Sequence, residues 1–153
     1  MGTVIVRSAA SFRCQVEAGR HQFIVDEPAS AGGSDEGPTP YDLLSAALGS
    51  CTSMTLNFYA KREGIALTGV EVSVTNDRSY AKDCADCESS SGYIHRFSVR
   101  LRLDGNLTVE ERAKLMDVAR RCPVYKTLTS EIRIDEVLED EVLEDEAPEA
   151  PPP

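Results

Sequence analysis

What the chain lacks narrows it first. No run of 18 apolar residues occurs among the 153 positions, so a membrane-spanning helix is not expected. The N-terminus, Met1-Gly2-Thr3-Val4-Ile5-Val6-Arg7, has no basic stretch leading into an apolar segment and a cleavage site. That predicts a cytoplasmic protein in a reducing compartment. Only two histidines, His21 and His95, are present. There is no G-x-G-x-x-G pattern and no second C-x-x-C to complete the one at Cys84. Basic residues are also missing where acid is dense. Asp135 to Pro153 carries nine carboxylates and no cation, and without it 17 acids face 16 bases. The net charge of −10 therefore belongs to the tail. The rest is near neutral, which argues against nucleic-acid binding, a function that needs a basic face. The expected organisation is one domain over residues 1–134 and a disordered, acidic, Pro-ended tail over 135–153.

What is there centres on one stretch. Thr39 is a good N-cap, Pro40 suits the first helical position, and Asp42 stands where a capping box needs its carboxylate. Leu44, Ala47, Leu48, Cys51, Thr55 and Phe58 recur at helical spacing. Lys61, Arg62 and Gly64 supply a C-terminal stop. The spacing predicts a helix over residues 40–63, roughly 36 Å long at 1.5 Å per residue, around which other elements must wrap. Before it, Thr3–Ser8, Ser11–Glu17 and His21–Val25 read as a β-meander, with Cys14 as a small core hydrophobe. The Gly-rich loop over 26–38 either positions the helix or cradles a phosphate. After the helix, Val70–Thr75 and Tyr93–Leu103 alternate as two arms of a hairpin. A second capping box at Thr108 and Glu111 opens another helix, which ends near Arg121 because Pro123 disfavours helical geometry at Cys122. A short helix over 123–129, capped by Cys122, and a last strand over 131–135 follow.

Five cysteines, Cys14, Cys51, Cys84, Cys87 and Cys122, are an odd set, which speaks against a static disulfide framework. Arg120, Arg121, Lys126 and a helix start surround Cys122, the setting that activates a thiol. Cys51 has no such neighbours, and on patterning alone it is either a core thiol or a reactive one activated from elsewhere. Cys84 and Cys87 are a redox pair or half of a zinc site, with His95 the nearest histidine. Tyr41, Phe58 and Tyr59 are either core aromatics or the lining of an apolar pocket.

The string Gly32-Gly33-Ser34-Asp35-Glu36-Gly37-Pro38-Thr39-Pro40-Tyr41-Asp42-Leu43-Leu44-Ser45-Ala46-Ala47-Leu48-Gly49-Ser50-Cys51-Thr52, with Cys122-Pro123-Val124 downstream, closely resembles the OsmC/Ohr family of osmotically inducible and organic-hydroperoxide-resistance proteins. The segment Asp83 to Glu88 is similar to that of an OsmC branch also found fused to hydrolases. The resemblance implies an α+β fold in which antiparallel sheets wrap around long central helices of an intertwined homodimer, with active sites at the subunit interface. It implies a thiol peroxidase without a cofactor. Cys51 would attack an organic hydroperoxide and become a sulfenic acid, Cys122 would condense with it to a disulfide, and a lipoyl-type dithiol would reduce the product. The family's activating arginine comes from the N-terminal sheet, where Arg20 is the candidate. Its supporting carboxylate follows the helix-opening proline. Here that position is Tyr41, and Asp42 comes one later, either as a substitute or only as a cap. Tyr41 and Phe58 are the candidate substrate pocket. The other reading is a non-catalytic OsmC-fold binding module that takes zinc through Cys84 and Cys87.

Overall fold

Local alternation and one tight turn build the first sheet. The structure is a computed structural model and describes residues 2–80 and 91–138. Strands β1 (Val4–Ser8), β2 (Cys14–Ala18) and β3 (His21–Val25) pair antiparallel in that order. Ala18 faces His21 across a two-residue turn, and Gly19 takes φ 60° there, a conformation that suits glycine and matches the strand twist. Val16 pairs with both Val6 and Phe23. Val16 and Val25 are buried, whereas Val4, Ile5 and Val6 of β1 stay exposed. Among the described residues the sheet is therefore covered at Val16 and Val25 and open along β1.

Residues 26–38 form a loop built on an internal carboxylate. Asp26, 2 % exposed, accepts the backbone N–H of Glu27 at 2.9 Å, of Ser34 at 3.0 Å and of Glu36 at 3.3 Å. Burial opposes its charge, but those three N–H groups and the nearby Arg13 prevail, and hold the carboxyl below its ordinary 3.8. Loop backbone also lies against strand-end backbone. A Cβ on Gly33 would stand 1.9 Å from the Glu27 carbonyl oxygen, and one on Gly37 would stand 2.3 Å from that of Ile24. The loop's amides are thus taken up internally, those of Glu27, Ser34 and Glu36 by Asp26 and those of Gly32, Gly33 and Asp35 by backbone carbonyls, and the loop leads into the helix.

Helix α1 runs Pro40–Glu63 with the complete Thr39–Asp42 capping box and an αL Gly64 at its end. The long hairpin of β4 (Leu67–Tyr80) and β5 (Tyr93–Gly105) pairs Val70 with Leu103, Val72 with Leu101 and Val74 with Val99. It packs on α1 at Gly49, where an added Cβ would touch Val74 at 3.4 Å. Helix α2 (Val109–Ala119) carries its own Thr108–Glu111 capping box, and α3 (Pro123–Leu128) follows after three residues. The core joins α1 to α2 through Leu56, Ala60, Leu115, Val118 and Ala119. Each fully buried leucine contributes about 2 kcal/mol by burial.

Three features differ from the sequence expectations. The β4 strand continues past Thr75 to Tyr80, because the ladder to β5 outweighs the poor β-propensity of Asn76, Asp77 and Ser79. Arg78 over the Tyr93 ring at 4.5 Å and a Tyr93–Tyr80 hydroxyl contact at 3.1 Å secure that end. The expected strand over 131–135 does not form. Ile132 and Ile134 are exposed, and among the described residues no strand pairs with them. On α1, the six residues assigned to one face divide. The buried row is Leu48, Thr52, Leu56 and Ala60, whereas Leu44 and Phe58 are exposed, as is Met54.

Candidate thiol site at the α1–α3 junction

The site is assembled by a cap. Pro123 forces Cys122 out of helical geometry, to φ −63° and ψ 142°, so that its side chain folds back on the first turn of α3. Cys122 Sγ then accepts the Tyr125 N–H at 3.2 Å. The thiol is fully buried, and its second donor comes from α1. The Thr52 hydroxyl donates to Cys122 Sγ at 3.5 Å. Thr52 directly follows Cys51, so the fold brings Cys122 to within one residue step of Cys51 along α1. Cys51 itself is half-buried, at the border between the covered and the exposed sides of the helix.

A groove of about 210 Å³ opens beside this junction, lined by Leu48, Thr52, Phe97, Met116, Arg120 and Tyr125 among others. It shares Leu48, Phe97, Val99 and Tyr125 with a neighbouring apolar groove of about 330 Å³ that reaches Ile94 and Leu128. A mainly apolar channel, with the guanidiniums of Arg120 and Arg96 in its lining, thus adjoins Thr52 and Tyr125, the two residues that bond the buried thiol.

The remaining candidates lie as follows. Arg20 is exposed at the β2–β3 turn, and among the described residues no hydrogen bond or ion pair holds it. Asp42 is committed to the cap. Its Oδ2 accepts the Thr39 hydroxyl at 2.7 Å and the Thr39 N–H at 2.9 Å, and these bonds lower its pKa below 3.8. Tyr41 stacks on His95 with ring centroids 5.8 Å apart, and both border a small cleft with Asn76, Asp77 and Arg78. Phe58, 69 % exposed, lies on the open side of α1, away from both grooves. Cys14 is half-buried on β2, its thiol 3.5 Å from the Phe12 carbonyl. Cys84 and Cys87 lie outside the described residues, as does the tail from residue 139. Among the described residues no group of His, Cys, Asp and Glu could hold a metal ion, and no helix is long and apolar enough to cross a membrane. Thr52 and Tyr125 escaped the sequence reading as partners of one site, whereas Arg120 was already placed beside Cys122 by its position in the chain. The only signal for Thr52 was its place in the i, i+4 row with Leu48 and Leu56.

The OsmC-like protein family matches residues 33–137, from the Asp26-centred loop through both capping boxes and past Cys122. The chain belongs to the OsmC-like family. Solved structures share its fold. An OsmC-like protein from Mycoplasma pneumoniae superposes with a TM-score of 0.68 at 19 % identity, covering 84 % of this chain and 86 % of its own. An organic hydroperoxide resistance protein from Elizabethkingia anophelis gives 0.66 at 20 %, covering 84 % and 88 %. The organic hydroperoxide resistance protein OhrB of Bacillus subtilis gives 0.61 at 19 %, covering 84 % and 90 %. No curated protein matches. The α+β architecture of antiparallel sheets and helices that the OsmC/Ohr resemblance implied is the one observed.

Proposed function

We propose that this OsmC-like protein is a cysteine-dependent peroxidase acting on organic hydroperoxides. The observation that carries the reading is the Thr52–Cys122 contact, which sets a buried thiol beside the helix step that bears Cys51. The Cys51 thiolate attacks the distal peroxide oxygen, the O–O bond breaks, and the alkoxide leaves as the alcohol after taking a proton. Cys51 becomes a sulfenic acid. The Cys122 thiolate then attacks that sulfur, an S–S bond forms, and hydroxide departs. An external dithiol, lipoyl-type or similar, returns the disulfide to two thiols. The apolar channel along Leu48, Phe97 and Tyr125 suits the organic part of the peroxide.

The working unit is a homodimer. Tyr41, Leu44, Met54 and Phe58 of α1 and Val4 to Val6 of β1 are exposed apolar side chains, and a helix apolar on both sides is one that is covered on both sides. A second copy closing over these surfaces supplies the arginine that activates Cys51, with Arg20 as the candidate from the N-terminal sheet. Cytoplasmic location and the absence of nucleic-acid partners complete the reading.

The test is peroxide consumption with dihydrolipoamide as donor. Wild type turns over cumene hydroperoxide, Cys51→Ser does not, and Cys122→Ser traps sulfenic acid at Cys51. A wild-type Cys51 left unmodified by the peroxide would sink the proposal.

A further inference from the structure

We infer that Thr52 is a positioning residue for disulfide closure, acting through Cys122. The inference rests on the peroxidase reading for its role, but not for its test. Several hydroxyls in the helices and at their ends turn back on their own helix. Thr55 donates to the Cys51 carbonyl at 2.8 Å, Ser50 to that of Ala46 at 2.7 Å, Thr127 to that of Pro123 at 3.1 Å and Thr129 to that of Tyr125 at 2.9 Å. That is the usual outlet for a Ser or Thr inside a helix. Thr52 instead sends its proton to a sulfur 70 positions away. It is 2 % exposed, so water does not compete for the hydroxyl.

Both bonds at Cys122, from the Thr52 O–H and the Tyr125 N–H, use sulfur as the acceptor. Each strengthens when the sulfur carries charge, and attack on a sulfenic acid requires that charged form. The two donors also come from different helices, so they fix the sulfur against α1 as well as against α3. In the closing step the Cys122 sulfur donates an electron pair to the Cys51 sulfenic sulfur. The S–S bond forms, the S–O bond breaks, and hydroxide leaves and is protonated to water. If closure is slow, a second hydroperoxide molecule instead oxidises Cys51 to the sulfinic acid and is itself reduced to the alcohol. Thr52 therefore sets which of the two fates Cys51 meets.

The experiment compares wild type, Thr52→Val and Thr52→Ser in the full chain. Cumene hydroperoxide is added in excess, and peptide mass spectrometry counts the Cys51–Cys122 disulfide and the Cys51 sulfinic acid over time. Thr52→Val keeps the shape and removes the donor. It is expected to slow closure about fivefold relative to the oxidation of Cys51, as loss of one hydrogen bond implies, and to raise the sulfinic share in proportion. Thr52→Ser restores the wild-type ratio, which a packing role for the threonine methyl would not predict. Equal ratios in wild type and Thr52→Val overturn the inference. If peroxide leaves wild-type Cys51 untouched, the peroxidase reading fails by itself. Closure is then driven with diamide, a direct thiol oxidant, and the same comparison of closure rates decides the role of Thr52.

Discussion

The position of Cys122 depends on how α2 is held, and Leu115 holds it. Leu115 is fully buried and packs with Leu56 and Ala60 of α1, and only three residues separate the end of α2 from the start of α3. Leu115→Ala removes three carbons from that contact. At about 0.8 kcal/mol per buried methylene the transfer loss is about 2.4 kcal/mol, and the incompletely collapsed cavity brings the expected cost to about 3 kcal/mol. Val109, 79 % exposed at the start of the same helix, is the control: Val109→Ala should cost less than about 1 kcal/mol. Urea unfolding at a fixed protein concentration measures both, since association would make the midpoint depend on concentration. Leu115→Ala should also loosen the α1–α3 junction, so that iodoacetamide captures Cys122 faster in native buffer than in wild type, with Val109→Ala unchanged. If Leu115→Ala costs less than about 1 kcal/mol, or leaves Cys122 as protected as before, α2 does not carry the thiol's placement and the reasoning is refuted.

Three further outcomes follow from the same structure. Asp26 and Asp42 both have carboxyls lowered below 3.8 in the folded protein, so the folded state binds fewer protons than the unfolded one in this range. Their stabilisation is whole above about pH 3.8 and is lost as pH falls through the lower folded values. A melting-temperature series from pH 5 to 2.5 should show that acid limb, flattened in Asp26→Asn. Gly33→Ala would set a methyl 1.9 Å from the Glu27 carbonyl oxygen, backbone that cannot swing away, and should cost about 1–3 kcal/mol by chemical denaturation. Phe58→Glu places a charge on the exposed apolar side of α1 and should shift the protein from dimer to monomer in light scattering. A monomeric wild type at micromolar concentration would contradict the proposed assembly.

Legibility in the sequence followed the range of the forces involved. Thr39, Pro40, Asp42 and Gly64 act on neighbours within a few positions, and the helix they predict has the observed limits. The Thr108–Glu111 box and the Cys122–Pro123 cap were readable for the same reason. Longer-range pairing was not. The extension of β4 to Tyr80 depends on partners in β5, and the alternation at Ile132 and Ile134 promised a strand that pairs with none among the described residues. Asp26 gave no local sign, because two of its three donors, the Ser34 and Glu36 amides, come from a loop that only closes on it in the fold. The face of α1 was misjudged as single: helical spacing shows which residues share a side, and with apolar residues on two sides it cannot say which one the hairpin and α2 will cover.

By itself, then, the sequence determined the limits of α1, both capping boxes, the cap at Cys122 and family membership, since each rests on residues adjacent in the chain or on a motif read in order. Tertiary structure alone decided that Thr52, and not another residue of α1, meets Cys122, and that Asp26 fills the Gly-rich loop. It also decided that Leu48, Thr52, Leu56 and Ala60 face inward. Those outcomes depend on how α2, α3 and the hairpin pack against α1, and packing is a competition among surfaces that no single stretch of sequence contains.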